Sequence, residues 1–362
     1  FRQFDAVVEC VGLMHCFHVN PPLCHHYNIN VKKQRKRFRK CVIMKPSRIR
    51  RLTMKKKTYL ENTLKVSRLG FGAWPLGNTA HGKMMSIEEG VELVHEALNN
   101  GINFFDTAPN YALGRSETIL GIALEGRRHE VVINSKFGHF ADDTIDFSES
   151  KIRMSVNESL DRLRTDHLDS LILHNPDFEI LKGRTGHFKE LERLKREGLI
   201  KAYGVSVDTP EEVKTVMENA SIDVLELYFN IFAQESRELL ETIEKRNIAL
   251  IIKVPLDSGW LTGKYSKDTS FTHIKSRWSE EDKTRRERLV EKLKSIVDSP
   301  IKETAIQFIL SYDAVTTVIP GIRTTSQLED HVRASKKPLD KSIKARIESF
   351  YDIEIKGDPL PW

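Results

Sequence analysis

Five polar residues sit just past apolar runs: Asp106 and Tyr111 in FDTAPNY, Lys136 in NSKFG, His174 in LILHNP and Arg323 in VIPGIR. A carboxylate, a phenol, an ammonium and an imidazole in this arrangement can carry out the reduction of a carbonyl. That reaction needs a hydride on carbon, which a nicotinamide cofactor brings, and a proton on the developing alkoxide, which the protein must supply. A free phenol, with a pKa near about 10, donates poorly at neutral pH, and a nearby ammonium lowers that value. Lys136 is expected to do this for Tyr111, Asp106 to keep Lys136 charged against desolvation, and His174 to hydrogen-bond the substrate oxygen. Singly, each residue has an ordinary alternative: a turn cap, a loop aromatic, a solvated strand end, a satisfied rim histidine. Four complementary groups at successive strand ends are harder to assign to structure alone.

Bringing them together requires strands that end on one face. From Thr58 onward, apolar runs alternate with amphipathic segments, the pattern of repeated βα units. The candidate strands cover residues 64–72, 102–106, 130–136, 168–174, 200–207, 223–229, 249–256 and 314–321. Between them, SIEEGVELVHEALNNG reads as a helix with Ser86 as N-cap, Glu89 completing a capping box and Gly101 as terminator. TPEEVKTVMENA reads likewise, with Thr209 as cap and Pro210 at the first helical position. An insertion over about residues 257–300 holds the helical ERLVEKLKSIVDS ahead of the last strand. Strands buried on both faces and joined through helices form a parallel sheet. Eight such units predict an α/β fold, the (β/α)8 TIM barrel, whose active sites lie at the carboxyl rim. A doubly wound open sheet is the runner-up, disfavoured because no GxGxxG follows an early strand.

The 362 residues suffice for one such domain and an appendage. Of 57 Lys+Arg and 51 Asp+Glu, residues 1–53 hold 12 and 2, which leaves a mildly acidic body with 45 and 49. All four cysteines, Cys10, Cys16, Cys24 and Cys41, fall in that head, so the body needs no disulfide and suits a reducing cytoplasm. Residues 1–53 are expected to be a basic, disordered or non-native extension, with Met54 as the native start of a domain over 54–362. The basic run over 32–40 reads as a solvated charged segment rather than a nucleic-acid patch, and no CxxC or HxxxH spacing suggests a metal. No run nears the roughly 18 apolar residues of a spanning helix, so no membrane partner is expected.

FDTAPNYALGRSETILGIAL, INSKFG, LILHNPD, YGVSV, VPLDSGWLTGKY and VIPGIRTTSQLEDH, in that order, resemble segments of the aldo-keto reductase family, from about residue 59 to about residue 350. The resemblance implies an eight-stranded barrel with a short N-terminal hairpin, here TYLENTLKV, and an NADP(H) cofactor. It implies a tetrad of Asp106, Tyr111, Lys136 and His174, with Tyr111 as general acid. It further implies Gly72, Ala73 and Trp74 along the mouth, with Trp74, Tyr111 and His174 against the substrate. Asp106, Ser206, Glu226 and Lys253 would surround the nicotinamide, and Pro255, Leu256, Ser258, Leu261 and Lys264 would lie on a loop closing over the pyrophosphate. Gly321, Arg323, Gln327, Asp330 and His331 would surround the adenosine, Arg323 forking to a 2′-phosphate.

Four positions depart from the family pattern. Val207 stands where Asn often follows the Ser, Glu226 where Gln is common, Lys253 where an aromatic or Arg meets the nicotinamide, and His331 where Asn is usual. An ionised Glu226 accepts from the carboxamide NH₂ but cannot donate to its carbonyl. Val207, Glu226 and Lys253 motivate a second class of function, a cofactor-binding regulatory or scaffold protein with little turnover. The expected partner is a small aldehyde or ketone; the loops after the first and fourth strands and the tail ending in Trp362 define no narrower substrate.

Overall fold

The computed structural model describes residues 54–60, 65–78, 84–271 and 277–361. The expected extension over 1–53, part of the hairpin, part of the loop after the first barrel strand, and Trp362 lie outside the described residues. Ten strands are described. β1 (Lys56–Thr58) pairs antiparallel with β2 (Lys65–Ser67) as the expected hairpin. Eight parallel strands then follow in sequence order around one sheet: β3 (Phe71–Gly72), β4 (Phe104–Asp106), β5 (Val132–Phe137), β6 (Ser170–His174), β7 (Tyr203–Val207), β8 (Val224–Tyr228), β9 (Ala249–Lys253) and β10 (Val315–Val318). Parallel bridges Leu69↔Val318 and Gly72↔Gly321 join the first strand to the last, so the sheet closes. The first expected strand, 64–72, is therefore two elements: its early half pairs in the hairpin and only its end enters the barrel. Closure explains Gly72, where an added Cβ would come within 2.7 Å of the Ile319 carbonyl oxygen.

Side chains alternate across each strand, and the alternation divides the core in two. Phe104, Val132, Ile172, Ala202, Val224, Ala249, Ile251 and Ile319 form an inner cluster, plugged by Tyr59 and Val66 from the hairpin. Phe105, Ile133, Leu171, Leu173, Val205, Val207, Leu225, Leu227, Leu250 and Ile252 face outward into a larger core shared with the helices. Counting in twos from the inner residues, the inward column reaches the carboxyl rim at Asp106, Lys136, His174, Ser206, Glu226 and Lys253. The fold thus aims six polar side chains at one space.

The helices begin where local chemistry says. Ser86 and Glu89 make a reciprocal capping box for Ile87–Asn99, and Thr209 and Glu212 make another for Pro210–Asn219. Gly101, at φ +89, turns the chain out of the first of these and into β4. The helix expected at ERLVEKLKSIVDS starts earlier and ends earlier, over Glu280–Lys294, because Ser279 and Asp282 form a capping box upstream. Among the described residues no helix is long and apolar enough to cross a membrane.

Candidate active site

Asp106, Lys136 and His174 are brought to the rim by β4, β5 and β6, and Tyr111 by the turn after β4. The Lys136 ammonium, fully buried, donates to both oxygens of Asp106 at 2.7 and 2.6 Å and to the Thr107 carbonyl at 3.2 Å. It lies 5.3 Å from the centroid of the Tyr111 ring and 3.3 Å from Glu226 Oε2. The Tyr111 ring meets His174 edge-on at 6.1 Å. On its other side His174 stacks on His139 at 4.4 Å, a neighbour with no role in the sequence reading. The four expected groups converge.

Behind them runs a buried chain of hydrogen bonds that sequence reasoning missed. The Asn134 amide donates to Asp106 Oδ2 at 2.7 Å, its carbonyl oxygen accepts from the Ser170 hydroxyl at 2.5 Å, and Ser170 is 2.6 Å from the Tyr59 hydroxyl. The plug is therefore tied through the barrel axis to the carboxylate that holds Lys136. Asn134 and Ser170 share the inward parity of Lys136 and His174, which was the available signal.

On the far side of the rim, Ser206 Oγ lies 3.1 Å from both Glu226 Oε1 and Asn175 Oδ1, with its one proton to give to either. Lys253 donates to Ser206 Oγ at 2.7 Å and Asn175 Oδ1 at 2.9 Å, and lies 2.8 Å from Asp208 Oδ1. Asn175 and Asp208 are further members that the sequence reading did not single out. Val207 is not at this site: fully buried, it points into the outer core, one residue out of phase with Ser206.

The other expected cofactor contacts are spread along one side of the mouth. Ala73 is buried and its amide donates to the Asp106 carbonyl, while Trp74 is half-buried on the turn after β3. Pro255, Leu256 and Ser258 lie on a turn with positive φ at Val254, Asp257, Ser258 and Gly259. Asp257 pins that turn to Arg286 through an ion pair of 3.1 Å buried on both sides, and Arg286 Nη2 also donates to the Pro361 carbonyl. Leu261 is fully buried in the core and Lys264 is exposed beyond it. At the end of β10, Gly321 faces Pro75, its added Cβ 3.0 Å from that ring. Arg323 donates to the Asn78 carbonyl, and its amide to the Gln327 side chain at the start of the helix Thr325–Lys336. Arg323 also lines a cavity of about 380 Å³ together with Glu89, Glu92 and Glu96. Asp330 is held in ion pairs by Lys302 and Arg333, and His331 is buried on the core stripe of the same helix.

Electrostatics at the rim follow from burial. Burial, then the nearby Glu226 charge, push Asp106 up to about 8 against the pull of Lys136, whereas Lys136 and Lys253 outweigh burial and draw Glu226 down. Asp106 accepts three short bonds, and Glu226 Oε2 accepts none. We therefore assign the retained proton to the pair of carboxyls rather than to Asp106. Lys136 stays charged, its pKa raised because the two carboxylates outweigh its burial. His174 is neutral, held well below its usual range by burial and then by the cations Lys136 and Lys253 and the imidazole of His139. The Tyr111 phenol corrects the expectation: burial and the charges of Asp106 and Glu226 raise its pKa above the ordinary value, and Lys136 only moderates the rise. The ammonium stabilises a phenolate there without making the resting phenol acidic.

The family model described as "Aldo/keto reductase family" matches residues 68–352. An uncharacterized oxidoreductase of Bacillus subtilis, YqkF, is 30% identical over 303 residues, covering 81% of this chain and 95% of that protein. L-galactose dehydrogenase of Arabidopsis thaliana is 32% identical over 314 residues, covering 83% and 94%. Among solved structures, the holo form of the aldo-keto reductase AKR11C1 from Bacillus halodurans superposes with a TM-score of 0.70 at 27% identity, over 82% of this chain and 96% of that one. The chain belongs to the aldo/keto reductase family, oxidoreductases that act on carbonyl groups.

Proposed function

We propose that the protein interconverts an aldehyde or ketone with its alcohol using NADP(H), with Tyr111 as general acid supported by Lys136, Asp106 and His174. The observation that carries this reading is the convergence at the rim: an ammonium 2.6 Å from Asp106 and 5.3 Å from the Tyr111 ring, with a neutral imidazole edge-on to that ring. The rim suits a nicotinamide nucleotide. Glu226 Oε2 is buried without a hydrogen-bond partner and can accept a carboxamide N–H, Ser206 stands beside it, and the Arg323 guanidinium suits a 2′-phosphate. When bound, the cofactor supplies or receives the hydride. Tyr111 gives its proton to the carbonyl oxygen as charge develops there, and Lys136 stabilises the phenolate left behind. Asp106 and the Asn134 amide fix Lys136, and His174 donates a second hydrogen bond that orients the carbonyl.

The dehydrogenase and oxidoreductase names of the relatives support redox chemistry. The cysteine-free body suits the cytoplasm, and a small carbonyl compound is the partner. A second reading, a cofactor-binding scaffold with little turnover, is favoured by Lys253, whose ammonium occupies the Ser206 and Asn175 oxygens. NADPH oxidation against a panel of aldehydes, ketones and sugars separates the two: turnover on members of the panel is expected, and tight NADPH binding with no turnover on any would favour the scaffold.

A further inference from the structure

The charges at the rim do not balance. Facing one another are the carboxylates of Asp106 from β4, Glu226 from β8 and Asp208 after β7, against the ammoniums of Lys136 from β5 and Lys253 from β9. His174 from β6 and Tyr111 after β4 are neutral, and His139 after β5 is held below its usual range by burial. Lys253 and Asp208 cancel, as do Lys136 and Asp106. The excess is Glu226, whose Oε2 is buried and accepts no hydrogen bond, lying 3.3 Å from an ammonium already engaged by Asp106.

Hydride transfer changes the nicotinamide ring by one unit of charge, from neutral when reduced to cationic when oxidised. The ring must lie within contact of a carbonyl carbon held by Tyr111, whatever its exact pose, and so within a few ångströms of this cluster. A desolvated negative charge at that range attracts the cationic form and leaves the neutral form unaffected. Resting on the cofactor reading above, we infer that Glu226 makes this site hold the oxidised cofactor more tightly than the reduced one, which biases the bound reaction toward oxidation of an alcohol. In the empty site the excess is partly cancelled, because two carboxyls sharing one ammonium retain a proton. Binding of a cation expels that proton, and binding of a neutral ring does not. Oxidised-form affinity therefore rises with pH up to about 8 and then levels. Titration of the cofactor's own phosphates affects both forms alike and cancels in the ratio of their dissociation constants.

The test is direct titration of the full chain with NADP⁺ and with NADPH, followed by protein and cofactor fluorescence from pH 6 to pH 9, without substrate. The wild type is expected to prefer NADP⁺ on the order of ten-fold or more at pH 8, with the preference shrinking toward pH 6. Glu226→Gln, which keeps shape and removes the charge, is expected to abolish both the preference and its pH dependence. A ratio that stays flat with pH in the wild type, or that survives Glu226→Gln, overturns the proposal; should the variant not fold, the wild-type pH series alone decides. Absence of binding by either form overturns the cofactor reading itself, a result distinct from equal binding of both.

Discussion

Lys136→Met keeps the length of the stem and removes the charge that two buried carboxyls share. In the wild type the ammonium lies 2.6 Å from Asp106 and 3.3 Å from Glu226, and all three side chains are almost wholly inaccessible to water. Without it Asp106 has no counter-ion and Glu226 keeps only Lys253, which is already paired with Asp208, so the folded protein must keep one further carboxyl protonated. At pH 7, against an unfolded pKa near 4, that costs about 1.4 kcal/mol per pH unit, or about 4 kcal/mol. This falls within the ~3–5 kcal/mol usual for breaking a buried pair by removing one partner. The sign fixes the pH window: both carboxyls now sit above their unfolded values, so stability is full below about pH 4 and is lost as pH rises through their folded values. Urea denaturation at pH 5 and pH 8 checks it, with a wild-type-minus-variant difference of about 1–2 kcal/mol expected at pH 5 and about 5–6 at pH 8. Adding Glu226→Gln should recover most of the loss at pH 8. An equal penalty at both pH values would mean that Lys136 contributes packing rather than charge, and the electrostatic account of the site would fall with it.

Tyr111→Phe is expected to lower kcat on the order of 10²–10⁴ fold with cofactor affinity largely kept; a fully active variant removes the phenol from its role. Arg323→Ala should raise the dissociation constant for NADPH more than for NADH, and equal weakening contradicts the 2′-phosphate assignment. Arg286→Met strands Asp257 beneath the turn over residues 254–259, at an expected cost of roughly 3–5 kcal/mol in urea denaturation. Pairing it with Asp257→Asn should restore most of that stability, and no restoration would show that the ring of Trp278, 5.2 Å from the guanidinium, is what Arg286 serves.

The eight barrel strands were legible because each is an apolar run buried on both faces, and the convergence of Asp106, Lys136 and His174 because they stand at the ends of those runs. What failed was phase. Val207 follows Ser206 by one residue, and on a strand one residue is the opposite face, so its departure from the family's Asn bears on the outer core. His331 shows the same point on a helix: Leu328, His331 and Val332 form the buried i, i+3, i+4 stripe, a position that the motif alone did not reveal. Asn134 and Ser170 carried the right parity but no recognisable motif. Their partners lie 28 and 36 positions away, distances over which only the closed barrel supplies the contact.

The inward column also explains how a barrel core tolerates so much charge. From Tyr59 through Ser170 to Asn134 each polar group hands a hydrogen bond to the next, and Asp106 receives one from Asn134 on one side and from Lys136 on the other, so each buried group has a partner to offset its lost hydration. At the rim the chain of bonds stops short: His174 Nδ1 and Glu226 Oε2 are buried without a hydrogen-bond partner, Oε2 having only the Lys136 ammonium at 3.3 Å. Unsatisfied atoms of this kind destabilise the fold, and their position opposite Tyr111 is where a ligand could repay the cost. Stability at the plug and reactivity at the rim are thus two ends of one polar column, and a substitution at Tyr59, remote from any substrate, acts on the same Asp106 carboxylate that holds Lys136.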